Sequence, residues 1–171
     1  QTRADLFRAG DRTASGAEIT AGSVVLCLGT FPEGTIHIGL RSFPGGRIDP
    51  GDADAIAAAL READEEVGLG AGFVSPLGYL DPFETISAYR VLPVVAIVQP
   101  GFVLSPNPDE VAEAFEAPLS LFFDRSAHRV QHVEYRGLRR EIHEFEFAGH
   151  RIWGATAAML INLRDRMEKS R

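Results

Sequence analysis

Apolar and polar positions alternate along the chain in two periods, one typical of strands and one typical of helices. Strand-type runs cover residues 73–80 and 88–98, and the second is apolar enough to be a central strand. Helical spacing is found over about residues 53–67 and again over 156–167, and a short helix is predicted at 118–123. The pattern therefore predicts an α/β protein.

Two hairpins are also expected. Residues 23–28 and 35–40 are apolar runs separated by a Pro- and Gly-containing turn, and residues 130–135 and 141–147 flank Gly137. Because helices are expected on both sides of the strands, the sequence predicts an α/β/α sandwich with a central mixed sheet. We expect one domain over residues 1–171, with an irregular N-terminal segment at 1–22.

The first long helix has a core-facing stripe and clear end signals. Asp52 follows Pro50-Gly51 and is the expected N-cap, and Gly68 is the expected stop. The apolar positions of the stripe are Ile56, Leu60, Ala63 and Val67.

The other side of this helix carries the candidate chemistry. Residues three and four apart share a helix face, so Glu62, Glu65 and Glu66 converge while Arg61 pairs with Glu65. Glutamates at the negative end of a helix dipole are unfavourably placed unless a divalent cation neutralises them. A solvated helix face is the plainer alternative, but the preceding glycine pair Gly45-Gly46 and the spacing favour a metal site.

Composition limits the partners. The chain has 171 residues, 45% of them hydrophobic, and a net charge of −7, which disfavours nonspecific binding to nucleic acid or anionic membrane. A small anionic substrate must then be met by metal and local arginines. With no long apolar run and a single Cys27 inside an apolar stretch, we expect a cytoplasmic protein.

The glycine pair and the acidic helix resemble the Nudix hydrolase signature. The matching residues are Gly46, the acidic Asp52, and then Arg61-Glu62-x-x-Glu65-Glu66-x-Gly68. Asp52 replaces the usual glutamate, and the gap to Arg61 is one residue longer than in the standard box. Both departures, with the sequence FPGGRIDPGDAD at residues 43–54, are similar to the coenzyme A pyrophosphatase branch of that family.

The likeness to that branch covers most of residues 23–165. One element is missing: the branch carries an arginine-rich segment before FPGG, whereas Leu40 here reaches Phe43 through only Arg41 and Ser42. Either the chain lacks this segment or a loop is missing between Leu40 and Arg41, and the regular match on both sides favours the second reading.

The resemblance implies Mg²⁺ or Mn²⁺ held by Glu62 and Glu66, with Glu65 and the Gly46 carbonyl as further ligands. Arg61 is expected to orient the glutamates. The general base stays open between Glu62 and a loop carboxylate, Glu110 or Glu113, both of which are equally well explained as solvated charges.

Other candidates have structural explanations that are at least as good. Arg41, Arg47 and Arg90 are expected near the site and are candidates for binding phosphate, and Tyr89 or Phe83 for stacking an adenine. We expect a structural role for the histidines, which show no metal-ligand spacing: His37, His128, His132, His143 and His150.

Three functions are compatible with these residues. The first is hydrolysis of coenzyme A or its acyl derivatives to 4'-phosphopantetheine and adenosine 3',5'-bisphosphate, by a monomer or homodimer. The second is a Nudix pyrophosphatase acting on ADP-ribose, NADH or dinucleoside polyphosphates. The third is a noncatalytic nucleotide-binding sensor domain, which the full set of carboxylates disfavours.

Overall fold

The structure is a computed structural model that describes part of the chain. The described residues are 23–30, 43–84, 90–99, 101–115, 117–135 and 137–169. The strand predicted at 35–40, its hairpin, the junction of Leu40 and Arg41, and the side chains of His37 and Tyr89 lie outside them.

A mixed sheet forms one half of the described fold. Its strands are β1 (Ser23–Thr30), β2 (Gly45–Arg47), β3 (Val74–Tyr79), β4 (Phe83–Glu84) and β5 (Arg90–Val98). The order is β2-β1-β5-β3, with β4 also on β5, and β1 pairs with β2 in parallel while the other pairs are antiparallel. The predicted central position of β5 is thus confirmed. Pro93 is accommodated there, opposite Leu28, and its carbonyl accepts a bond from the Leu80 amide at 3.0 Å.

The first helix, α1, covers Ala55–Val67. Its N-cap is Asp54, whose carboxylate accepts from the Ala57 amide at 2.8 Å, so the assignment of Asp52 as N-cap was wrong. The Asp52 side chain is instead bound to Arg61 across the helix start. Gly68 ends the helix as predicted, at a φ of 71° that favours glycine.

A second, antiparallel sheet contains β6 (Arg129–Tyr135), β7 (Leu138–Phe147) and β8 (His150–Trp153). The predicted hairpin around Gly137 is confirmed, but the described strands form two sheets where one central sheet was expected. Strand β8 was not predicted because it is only four residues long and follows a tight turn. The other described helices are a single 3-10 turn at Ala71–Phe73, the short helix α2 (Leu119–Phe123) and the long α3 (Gly154–Lys169).

Two apolar clusters lie behind these elements. One joins α1 to the mixed sheet through residues such as Ala59, Ala63 and Val94. The other joins α3 to the second sheet, and also to β5, through residues such as Phe145, Leu160 and Val95. The α/β class is confirmed. Within the described part of the chain, every helix is too short or too polar to cross a bilayer.

Candidate active site

The glycine pair of β2 lies directly under the acidic face of α1. The Glu62 carboxylate fills the space in which a Cβ on Gly46 would stand, so no larger residue fits there without displacing it. The Gly45 amide donates to Glu66 Oε1 at 3.3 Å. The close approach of helix and strand at Gly46 therefore depends on the missing side chain at that position.

Burial disfavours the charged form of the two glutamates that face this strand, Glu62 and Glu66. Desolvation raises the pKa of Glu66 to about 7, and the charges of Glu62, Glu110 and Glu65 add to the effect. Desolvation also raises the pKa of Glu62, against the opposing effect of Arg61. A bound cation would stabilise the charged form of both carboxylates.

Arg61 is the centre of the polar contacts at this helix end. Its Nη1 donates to Glu62 Oε1 at 2.9 Å and to Glu65 Oε2 at 3.0 Å, so the predicted Arg61–Glu65 pair is present. Its Nε and Nη2 form a fork on the Asp52 carboxylate at 3.2 and 3.0 Å, which lowers the pKa of Asp52. Nη2 also donates to the Arg47 carbonyl at 2.9 Å, which ties α1 to β2.

Glu65 is more exposed than Glu62 and Glu66. Its side chain is 56% exposed, and the contact that the structure gives it is with Arg61. Among the described residues, no three His, Cys, Asp or Glu side chains are grouped closely enough to hold a metal ion as they stand. The donors that face β2 are Glu62 and Glu66.

The segment 105–111, which follows β5, brings a further carboxylate to the site. The Asn107 amide donates to the Glu66 carbonyl at 2.8 Å, and the Ser105 amide donates to the Val67 carbonyl at 3.0 Å. These bonds satisfy carbonyls that the end of α1 leaves unpaired. Glu110, in this segment, is near enough for its charge to raise the pKa of both Glu62 and Glu66.

The second loop carboxylate has a different neighbour. Glu113 Oε1 lies 3.6 Å from His150 Nε2 at the start of β8. Of the phosphate-binding candidates, Arg47 and Arg90 are exposed, whereas Arg41 lies outside the described residues. Phe83 packs against the second apolar cluster, which agrees with its structural alternative.

The described histidines have neighbours that fit a structural role. His128 Nε2 is 3.1 Å from His143 Nδ1, and His132 is 3.8 Å from Glu141. Sequence patterns did not predict that the Asp52 side chain binds Arg61 or that the segment 105–111 binds the end of α1. Backbone bonds of this kind leave no residue signature, although Asn107 between two prolines signals an ordered turn.

Strand β2, with its two glycines, faces the end of α1 that carries Arg61 and the glutamates, and it belongs to the mixed sheet. This arrangement defines a Nudix-type hydrolase domain. The chain belongs to the Nudix family, because the family described as NUDIX domain matches residues 12–144. The prediction of a Nudix hydrolase, a class that cleaves pyrophosphate bonds, is thereby confirmed.

Curated relatives carry the same family name. The chain is similar to the "Uncharacterized Nudix hydrolase NudL" of Photorhabdus laumondii subsp. laumondii, at 39% identity over 77% of this chain and 71% of the relative. It is also similar to the protein of that name from Escherichia coli (strain K12 / DH10B), at 36% identity over 74% of this chain and 66% of the relative. These names give a hydrolase class but no substrate. Nudix enzymes generally require divalent cations and act on small nucleotides.

Proposed function

We propose that this chain hydrolyses the pyrophosphate bond of coenzyme A or acyl-coenzyme A, giving 4'-phosphopantetheine and adenosine 3',5'-bisphosphate in a reaction that needs Mg²⁺ or Mn²⁺. The observation that carries the reaction class is the pair Glu62 and Glu66 held against Gly45-Gly46 with raised pKa values. The substrate rests on the likeness of residues 43–54 to the coenzyme A branch. The cytoplasmic location and the oligomeric state, monomer or homodimer, remain predictions.

The donor set fits a hard divalent cation. Glu62 and Glu66 supply carboxylate oxygens, and Glu65 is on the same helix end. The Gly46 carbonyl is proposed as a further ligand, because the Glu62 carboxylate lies against this glycine. Arg61 compensates the charge of Glu62 in part, so a bound cation is needed chiefly to stabilise Glu66 as an anion. When bound, the cation neutralises phosphate oxygens and lowers the pKa of water.

The surrounding residues have separate roles in this proposal. Arg61 holds Glu62 and Glu65 in place through its two bonds from Nη1. Glu110 is the better candidate for general base of the two loop carboxylates, because its charge acts on Glu62 and Glu66 whereas Glu113 is in contact with His150. Glu62 remains the alternative base.

Substrate binding is assigned to arginines. Arg47 lies on β2 next to the glycine pair, and Arg90 begins β5. Arg41 is proposed from the sequence alone. These guanidinium groups would bind the phosphates of an anionic substrate through charge-assisted bonds, which the chain needs because its overall charge is negative.

A side-by-side assay tests the proposed substrate. Coenzyme A, ADP-ribose and NADH are each incubated with the protein and Mg²⁺ or Mn²⁺, and the products are identified by mass. Formation of 4'-phosphopantetheine as the fastest reaction supports the proposal. Faster cleavage of ADP-ribose or NADH would move the protein to another Nudix substrate class, and inactivity on the whole panel would favour a sensor domain.

A second assay asks whether the 3'-phosphate of coenzyme A is recognised. Each charge-assisted contact contributes roughly 1.5–3 kcal/mol, so dephospho-coenzyme A should lose about tenfold or more in kcat/KM. Equal efficiency on both substrates would contradict recognition of this phosphate.

A further inference from the structure

The segment that carries Glu110 is attached to the fold on both sides of that residue. On the N-terminal side the attachment is the Asn107 amide on the Glu66 carbonyl, at 2.8 Å. The Glu110 and Val111 amides then turn back onto the Asn107 carbonyl at 3.1 and 2.8 Å. Glu110 is therefore three residues from a point fixed to α1.

The second attachment lies three residues beyond Glu110, on the other sheet. Glu113 Oε1 is 3.6 Å from His150 Nε2, and the Phe115 ring stacks on the His150 ring with centroids 4.2 Å apart and an interplanar angle of 15°. The His150 side chain is 17% exposed, and among the described residues its Nδ1 is buried without a hydrogen-bond partner. Because the His150 ring is stacked and largely buried, its side chain has little freedom to rotate. It therefore restrains Phe115 and Glu113, which it contacts.

The path between the two attachments is also packed. Val111 and Ala114 lie against the apolar cluster behind α1, whereas Phe115 packs against the cluster behind α3. The segment thus passes from the end of α1 to His150 on β8 of the second sheet. Its position depends on contacts at both ends.

We infer that His150 is a positioning residue, which through Glu113 and Phe115 holds Glu110 beside Glu62 and Glu66. This inference rests on the proposed function for its effect on catalysis. Its structural part does not, because the attachment is a property of the protein without substrate. A carboxylate fixed in place before the reaction avoids the entropic cost of ordering its loop in each turnover.

Amide hydrogen exchange of the protein without metal or substrate tests the attachment directly. In His150→Ala, exchange of the amides at residues 105–111 should be roughly tenfold faster, because loss of the stacked ring favours local opening. His150→Phe keeps a ring to stack on Phe115 and should restore most of the protection. Glu113→Gln, at a half-exposed position, supplies an independent variant if His150→Ala fails to fold.

Kinetics on the preferred substrate supply the second measurement. His150→Ala should lower kcat by about tenfold while KM changes little, since misplacing a reacting group affects the chemical step more than binding. The matched control is His132→Ala, which removes a histidine paired with Glu141 on the exposed hairpin and should change neither measurement.

The two measurements separate the possible failures. Unchanged exchange at residues 105–111 in both His150→Ala and Glu113→Gln would overturn the inference, whatever the activity. Faster exchange with unchanged kcat would also overturn it, because the attachment would then be purely structural. If no substrate in the panel is cleaved, the proposed function fails, and the exchange data alone decide the attachment.

Discussion

Two glutamates of this chain are removed from water in opposite ways. Glu144, on β7, is 8% exposed and accepts from Arg151 Nε at 2.7 Å and from Gln131 Nε2 at 3.2 Å. Glu66, on α1, receives one amide at 3.3 Å and is surrounded by other carboxylates, so that its pKa rises to about 7. A buried carboxylate with a guanidinium partner is a structural group, whereas one buried among like charges leaves a place for a cation.

Replacing each glutamate by glutamine should separate these roles most clearly in activity. Glu66→Gln should lower kcat/KM by roughly three orders of magnitude or more, because a metal ligand contributes several kcal/mol of charge stabilisation. Glu65→Gln should cost less, since Glu65 is exposed and bound to Arg61. Steady-state kinetics at saturating Mn²⁺ measure this, and near-wild-type turnover of Glu66→Gln would show that the ligand face is assigned wrongly.

Glu144→Gln should give the reverse result. The change removes the charge bound by Arg151, and we expect a loss of about 1–3 kcal/mol in the free energy of unfolding. Turnover at a temperature where the variant is folded should stay close to wild type. Urea unfolding measures the stability, and a stable but inactive Glu144→Gln would mean that the second sheet takes part in the chemistry.

The pH dependence of stability without metal sharpens the comparison further. Because the folded pKa of Glu66 is about 7 against an ordinary value of 4.5, the folded state binds this proton more tightly than the unfolded chain does. The resulting stabilisation is complete below pH 4.5 and is lost as the pH rises through 7. In EDTA at pH 8, Glu66→Gln should therefore be more stable than wild type by ~0.5 kcal/mol or more, because it removes a charge that burial and the neighbouring carboxylates disfavour. Thermal melts at pH 5 and 8 test this, and a clearly less stable variant at pH 8 would count against it.

His128, next to the second sheet, should make stability depend on pH in the opposite sense, and this is the smallest of the expected effects. Burial lowers the pKa of His128, which stacks on Phe145 and lies 3.1 Å from His143. Its contribution is complete above the ordinary pKa of 6.5 and is lost as the pH falls through the lowered value. His128→Phe keeps a ring on Phe145 and should flatten the decline in melting temperature on the acid side. An unchanged decline would assign it to other groups.

How much the sequence predicted depends on whether an element is defined by its own residues. Helix α1, its stop at Gly68 and the hairpin around Gly137 were predicted because periodicity and turn chemistry are local. Asp52 was misassigned because two acidic residues precede the helix, and only the tertiary contact with Arg61 distinguishes its role from that of Asp54.

The candidate site follows the same rule. Spacing on one helix predicted that Glu62, Glu65 and Glu66 converge and that Arg61 contacts Glu65. The structure places Glu62 and Glu66 against β2 and has the Arg61 contact, but it leaves Glu65 56% exposed. The attachment of Glu113 to His150 was not predicted, because it joins residues far apart in the chain through contacts that follow no periodic pattern. The separation of the described strands into two sheets is equally a matter of long-range pairing, which patterns along the sequence do not predict.

The contact between Gly46 and Glu62 has a consequence for how this sequence can drift during evolution. Gly46 and Gly51 are five residues apart, yet a Cβ on Gly51 would meet nothing within 4 Å, whereas one on Gly46 would collide with the Glu62 carboxylate. In a library of random substitutions selected for function, alanine should survive at position 51 and be purged at position 46. An alanine at position 46 has to move the Glu62 carboxylate, so changes at these two positions should affect one another in such a library.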